Sequence, residues 1–126
     1  MCGIAGLFDT RGQRNFDPEL IRRATTALAH RGPDGDGFFA APGIALGHRK
    51  LAIIDLASGS QPMHAKDGSI TITFNGEIFN YKELRAELGS KGHGFATASD
   101  TEAIIASANP PASTKRSAGF AARIAA

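Results

Sequence analysis

MCGIAGLFD, residues 1–9, carries an apolar run from Ile4 to Phe8, interleaved with glycine, almost at the start of the chain. A short apolar run of this kind predicts a buried strand. Immediately ahead of it stands Cys2, the single cysteine. Removal of Met1, expected when so small a residue follows, leaves a thiol and a free α-amine on one residue. An α-amine titrates at about pH 8, so a useful fraction is an unprotonated base at neutral pH. The thiolate is the reactive form, and a nearby base generates it. Cys2 can therefore supply nucleophile and base together. Taken as a lone cysteine, it fits better as a small apolar residue opening a strand.

Outward from this strand the chain alternates helices and strands. Asp17-Pro18 predicts a helix start, an N-cap acceptor followed by proline at the first helical position. Leu20, Ile21, Ala24, Ala27 and Leu28 recur at helical spacing and predict one buried face, closed by Gly32-Pro33. RGPDGDG, residues 31–37, is a turn-rich loop. Residues 37–40 and 44–55 predict strands, the second with the apolar run Leu51–Leu56, and 58–62 predicts a loop. Ile70, Ile72 and Phe74 alternate with Thr71 and Thr73, the period of a half-buried strand. Asn80 with Glu83, and Ser99 with Glu102, predict capping boxes opening a second and a third helix. Leu84 and Leu88 line one of these helices, Ile104 and Ile105 the other. Pro110-Pro111 stop the third.

The length allows one domain, and the pattern along it mixes helices and strands. Residues 107–126 hold seven alanines, three basic residues and no acidic one, and predict a disordered tail. The 126 residues are 42% hydrophobic and 21% charged, as in ordinary globular domains. A single cysteine excludes an intramolecular disulfide scaffold. No apolar run approaches the roughly 20 residues of a membrane span, and no secretory signal is visible, so a cytoplasmic setting is expected. The net charge of +2 conceals a split: residues 9–102 sum to −1 and the tail to +3. The main body therefore offers no basic footprint for nucleic acid.

Asn75-Gly76-Glu77 follows the ITITF strand. Asn-Gly is a strong turn signal. The same turn can aim the Asn amide and the Gly N–H at one point, as an oxyanion hole requires. Asp100, just inside a helix start, suits the positive helix end or a substrate ammonium group, with Glu77 beside it. His48-Arg49-Lys50 is either solvated charge at a strand edge or a clamp for a carboxylate. His30, His48, His64 and His93 show no zinc-ligand spacing, so no metal site is expected. RGPDGDG matches neither the dinucleotide nor the P-loop spacing.

Five blocks, MCGIAGLFD, AHRGPDGDG, LGHRKLAIIDLASGSQPM, FNGEIFNYKELRAEL and SDTEAI, occur in this order. Together they resemble the class II glutamine amidotransferase domain of the asparagine synthetase (glutamine-hydrolysing) family, over residues 2–106. The resemblance implies an N-terminal-nucleophile hydrolase fold, an α/β/β/α sandwich, here incomplete and limited to its first half. It implies that Cys2 attacks the glutamine side-chain amide through a thioester, with its own α-amine as base. Asn75 and Gly76 match the oxyanion hole. Glu77 and Asp100 match the residues that hold the substrate α-amino group. The family shows arginine directly before the Leu of H-x-R-L, where it binds the substrate carboxylate. Here that position is Lys50, with Arg49 one place earlier. Lys lacks the two-pronged donor, and on a strand Arg49 points to the opposite face, so weakened glutamine binding is expected.

The resemblance also implies a following synthetase domain that uses ATP and Mg to activate an acceptor carboxylate. That domain is not expected in this chain, so no cofactor is expected here, and a separate chain is the expected source of the missing part. Glutaminase activity is expected to be impaired by the truncation. Two alternatives stand beside this reading: an inactive fragment or interaction remnant pairing through strand edges, and a paralogous amidotransferase with another acceptor.

Overall fold

A computed structural model describes residues 1–51 and 60–109. The elements are β1 (Gly3–Phe8), α1 (Pro18–Ala27), β2 (Gly35–Ala41), β3 (Ile44–Lys50), β4 (Met63–His64), β5 (Thr71–Ile72), α2 (Tyr81–Ser90) and α3 (Asp100–Ala108). The chain is α+β with antiparallel sheets. The expected strand beyond residue 51 and the expected tail beyond residue 109 lie outside the described residues.

The first sheet has the order β1-β3-β2. Ile4 pairs with His48 and Phe8 with Ile44 on one side of β3, and Gly37 with His48 and Ala41 with Ile44 on the other. Pro42 and Gly43 turn the β2–β3 hairpin, and Gly43 adopts φ +83°, a left-handed conformation that costs glycine little. β3 is the centre of the molecule: Ile44 to His48 are all buried.

α1 covers one face of this sheet. Asp17 caps it, its side chain accepting the Glu19 N–H at 2.9 Å, with Pro18 at the first helical position as expected. The buried face is narrower than the sequence predicts. Ile21 and Thr25 are buried and Leu28 half-buried, whereas Leu20, Ala24 and Ala27 are exposed. The reason is the fit against glycine. A Cβ on Gly47 would overlap the Thr25 hydroxyl, and one on Gly3 would lie 2.9 Å from Leu28 Cβ. The helix approaches where the sheet lacks side chains, and residues 21, 25 and 28 fall on that line.

The opposite face of the first sheet meets the second sheet, β4-β5. His48 reaches Thr73, and the Phe39 and His64 rings stack at a tilt, 5.4 Å between centroids. On the far side of β4-β5, Ala65, Ile72 and Ile105 form a buried cluster flanked by Met63, Ile70, Phe74 and Ile104, so α3 is packed there. α2 in turn packs on α3.

Three local expectations are corrected. The strand expected over 70–74 is paired only at Thr71–Ile72, against a β4 that the sequence did not reveal. A Gln61 side-chain oxygen takes the Phe74 N–H, so the ladder gains nothing there. Asn80 is the N-cap of α2 but makes no side-chain cap, because its φ −98°, ψ 26° is not the extended conformation that capping requires. Ser99 is extended and caps α3 through Thr101 N, yet Glu102 does not complete the box. Its carboxylate instead accepts the Ala96 N–H, the Thr97 N–H and the Thr97 hydroxyl, fastening the preceding loop. α3 ends at Ala108, before Pro110 as expected, with Asn109 extended. No helix of the described residues is long and apolar enough to cross a membrane.

Candidate active site

Strand alternation sorts the residues around Cys2. Gly3 and Arg49 face α1, so Cys2, Ile4, His48 and Lys50 lie on the opposite face, toward the second sheet. The β1–β3 register, continued by one residue, sets Cys2 across from Lys50. Cys2 is half-buried, and the Leu51 N–H donates to its Sγ at 3.4 Å.

Arg49 is held on the other face. Its Nε donates to the Gly32 carbonyl at 2.9 Å and its guanidinium lies 3.4 Å from Asp36 Oδ2. A Cβ at Gly32 would lie 2.5 Å from the Arg49 carbonyl, so the RGPD stretch can press this close only with glycine there. The Asp34 N–H donates to the Lys50 carbonyl at 3.0 Å. The structure thus gives Arg49 local protein partners and puts Lys50 on the face of Cys2.

His48, next to Lys50, is 3% exposed and shares a 2.9 Å hydrogen bond with Thr73 Oγ1, itself 4% exposed. Burial first, and the Lys50 charge second, hold the His48 pKa below its ordinary value. The ring is therefore neutral at neutral pH. This pair joins β3 to the segment that leads into the Asn75 turn.

The turn itself is bracketed. Before it, Gln61 Oε1 accepts the Phe74 N–H. After it, Asp100 Oδ2 accepts the Ile78 N–H at 3.0 Å. Asp100 and the residue following Glu77 are thereby brought together, although 22 positions apart in the chain. Asn75 is half-buried, while Gly76 and Glu77 are exposed. A Cβ on Gly76 would lie 2.7 Å from the Phe74 ring, so the turn closes over that ring only with glycine there.

Sequence reasoning missed Arg85. Its guanidinium donates to the Thr97 and Ser99 carbonyls at 2.7 and 3.3 Å, lies 3.7 Å from Glu102, and stacks 4.0 Å over the Phe95 ring. It ties α2 to the loop that sets the start of α3, and so the place of Asp100. Gln61 and Thr73 were missed as well. Thr73 carried a signal, since it occupies the polar phase of the 70–74 alternation. Among the described residues no three His, Cys, Asp or Glu side chains gather as a metal-binding group.

Cys2 is half-buried at the head of β1, the Asn75-Gly76 turn follows β5, and Asp100 opens α3. The chain belongs to the glutamine amidotransferase domain family, whose model matches residues 1–114. Among individual proteins it is similar to asparagine synthetase (glutamine-hydrolysing) 1 of Bacillus subtilis (strain 168), 45% identical over 108 residues, which are 84% of this chain and 17% of that protein. Asparagine synthetase (glutamine-hydrolysing) 2 of Oryza sativa subsp. japonica is likewise 45% identical, over 82% of this chain and 17% of that protein. Asparagine synthetase (glutamine-hydrolysing) 1 of Arabidopsis thaliana is 44% identical, over 82% of this chain and 18% of its own length. The chain thus spans about 17% of the length of the curated relatives it matches.

Proposed function

We propose that this chain is the glutaminase part of an asparagine-synthetase-type amidotransferase, hydrolysing glutamine to glutamate and ammonia through a thioester on Cys2. The observation that carries the reading is the place of Cys2. It stands at the head of β1 with the Leu51 N–H on its sulfur and Lys50 across from it on the same face. Loss of Met1 frees the Cys2 α-amine. The amine takes the thiol proton, and Sγ attacks the glutamine side-chain carbonyl carbon. The oxyanion accepts hydrogen bonds from the Asn75 amide and the Gly76 N–H. As the C–N bond breaks, the proton passes to the departing nitrogen and ammonia leaves. Water then attacks the thioester, gives a proton to the amine, and the C–S bond breaks to release glutamate and regenerate the thiol. Lys50 holds the substrate α-carboxylate; Glu77 and Asp100 hold its α-ammonium group.

The layering of α1, the two sheets and α3 supports placing these residues in the α/β/β/α sandwich of N-terminal-nucleophile hydrolases. The test is the intact mass of the full chain after exposure to an electrophilic glutamine analogue, with and without glutamine. The expected result is loss of Met1 and a single adduct that glutamine suppresses. A retained Met1, or an adduct indifferent to glutamine, overturns the proposal.

A further inference from the structure

We propose that Gln61 is a positioning residue that fixes the Asn75-Gly76 turn against the start of α3. The inference rests on the glutaminase reading and assigns a device within it. The Gln61 side chain spans two parts of the candidate site. Its Oε1 accepts the Phe74 N–H, the amide directly before Asn75. Its Nε2 donates to Thr101 Oγ1 at 3.5 Å, and Thr101 is 2% exposed on the first turn of α3, beside Asp100. Asp100 in turn takes the Ile78 N–H, directly after Glu77. The amides on both sides of the Asn-Gly-Glu turn are therefore held by side chains that meet at one helix start.

The backbone at Gln61 is itself seated. A Cβ on Gly37 would overlap the Gln61 carbonyl and lie 3.2 Å from Pro62 Cδ, so β2 receives this segment at a position without a side chain. Pro62 is buried. A seated backbone and a two-ended amide make Gln61 a fixed-length strut between the turn and α3. Oxyanion donors stabilise a transition state in proportion to how well they are pre-placed. Gln61 acts through Phe74, and its effect belongs to kcat.

The experiment compares the full chain with Gln61→Met and Gln61→Glu, reading glutaminase kcat and KM and the rate of Cys2 alkylation by iodoacetamide. Met matches the length and removes the acceptor. It is expected to lower kcat about 10–100-fold, the scale of a misplaced oxyanion donor. KM should stay within about threefold, because the lost interaction is made in the transition state. Alkylation by iodoacetamide should not change. A Glu at 61 accepts from both the Phe74 N–H and the Thr101 hydroxyl and is expected to restore most of kcat. Where Gln61→Met fails to fold, Gln61→Asn, one methylene shorter with both groups kept, is expected to show the same fall in kcat. An active parent chain with undiminished variants, a loss wholly in KM, or equal losses in Met and Glu overturns the role of Gln61. A parent chain alkylated by iodoacetamide but silent toward glutamine overturns the glutaminase reading, and this role with it.

Discussion

Thr73→Val removes one oxygen from the junction between the two sheets and barely changes the shape of the side chain. The cavity left behind is small, so the cost comes from His48. Its Nδ1 lies 2.9 Å from the Thr73 hydroxyl, and the two residues are 3% and 4% exposed. Water cannot replace the lost partner without opening the interface. A buried polar group left unsatisfied costs about 1–3 kcal/mol. In a domain of this size each kcal/mol moves the melting midpoint by roughly 4–8 °C. The expected fall in Tm is therefore on the order of 5–20 °C, read by thermal or urea unfolding at neutral pH. A companion variant sharpens the test. His48→Leu combined with Thr73→Val leaves no polar atom unpaired, and paired apolar replacement can be nearly neutral. The double variant should be more stable than Thr73→Val alone. The reasoning is refuted if Thr73→Val costs less than about 0.5 kcal/mol, the range of an ordinary surface change. It is refuted equally if the two substitutions simply add.

Further expectations concern the same layers. Because burial and Lys50 lower the folded-state pKa of His48, the folded protein favours the neutral ring. The stability this contributes is complete above the unfolded value of about 6.5 and is lost as pH falls from there through the lower folded pKa. Denaturation midpoints across that window should fall with pH in the parent chain and less steeply in His48→Leu; parallel curves count against the assignment. Lys50→Arg should lower KM for glutamine on the order of tenfold, since an added charge-assisted hydrogen bond is worth about 1.5 kcal/mol; an unchanged KM in steady-state kinetics rejects Lys50 as the carboxylate partner. Gly47→Ala drives a methyl into the Thr25 hydroxyl and should cost about 1–3 kcal/mol in urea unfolding, with Gly6→Ala, whose nearest neighbour would be Leu46 Cδ2 at 3.6 Å, as the mild control.

The elements most legible in the sequence were those with local chemistry. Asp17-Pro18 started α1 where an acceptor and a fixed φ suit a helix start, and Ser99 did the same for α3. The apolar run Ile4–Phe8 became β1, and the run after Pro42-Gly43 became β3. Elements whose partners are distant were misread. Nothing near Met63 signals β4, because its reason is pairing with Thr71–Ile72 and packing under Ile105. Asn80 had the residue type of a cap but not its backbone conformation. Glu102 looked like half of a capping box and turned instead to Thr97.

The same division runs through the site. By itself the sequence determined the chemistry on offer: a thiol next to the terminus, an Asn-Gly turn after an alternating stretch, and carboxylates at 77 and 100. Five ordered motifs were enough to suggest the family. Only the tertiary structure decided which of these groups meet. It placed Lys50 on the Cys2 face and Arg49 among Gly32 and Asp36. It joined Asp100 to the turn through Ile78, and it drew in Gln61, Thr73 and Arg85, to which the sequence assigned no part in the site. The physical reason is that residue type and local spacing are written along the chain. Hydrogen bonds between residues tens of positions apart exist only after β3 is sandwiched between α1 and the second sheet.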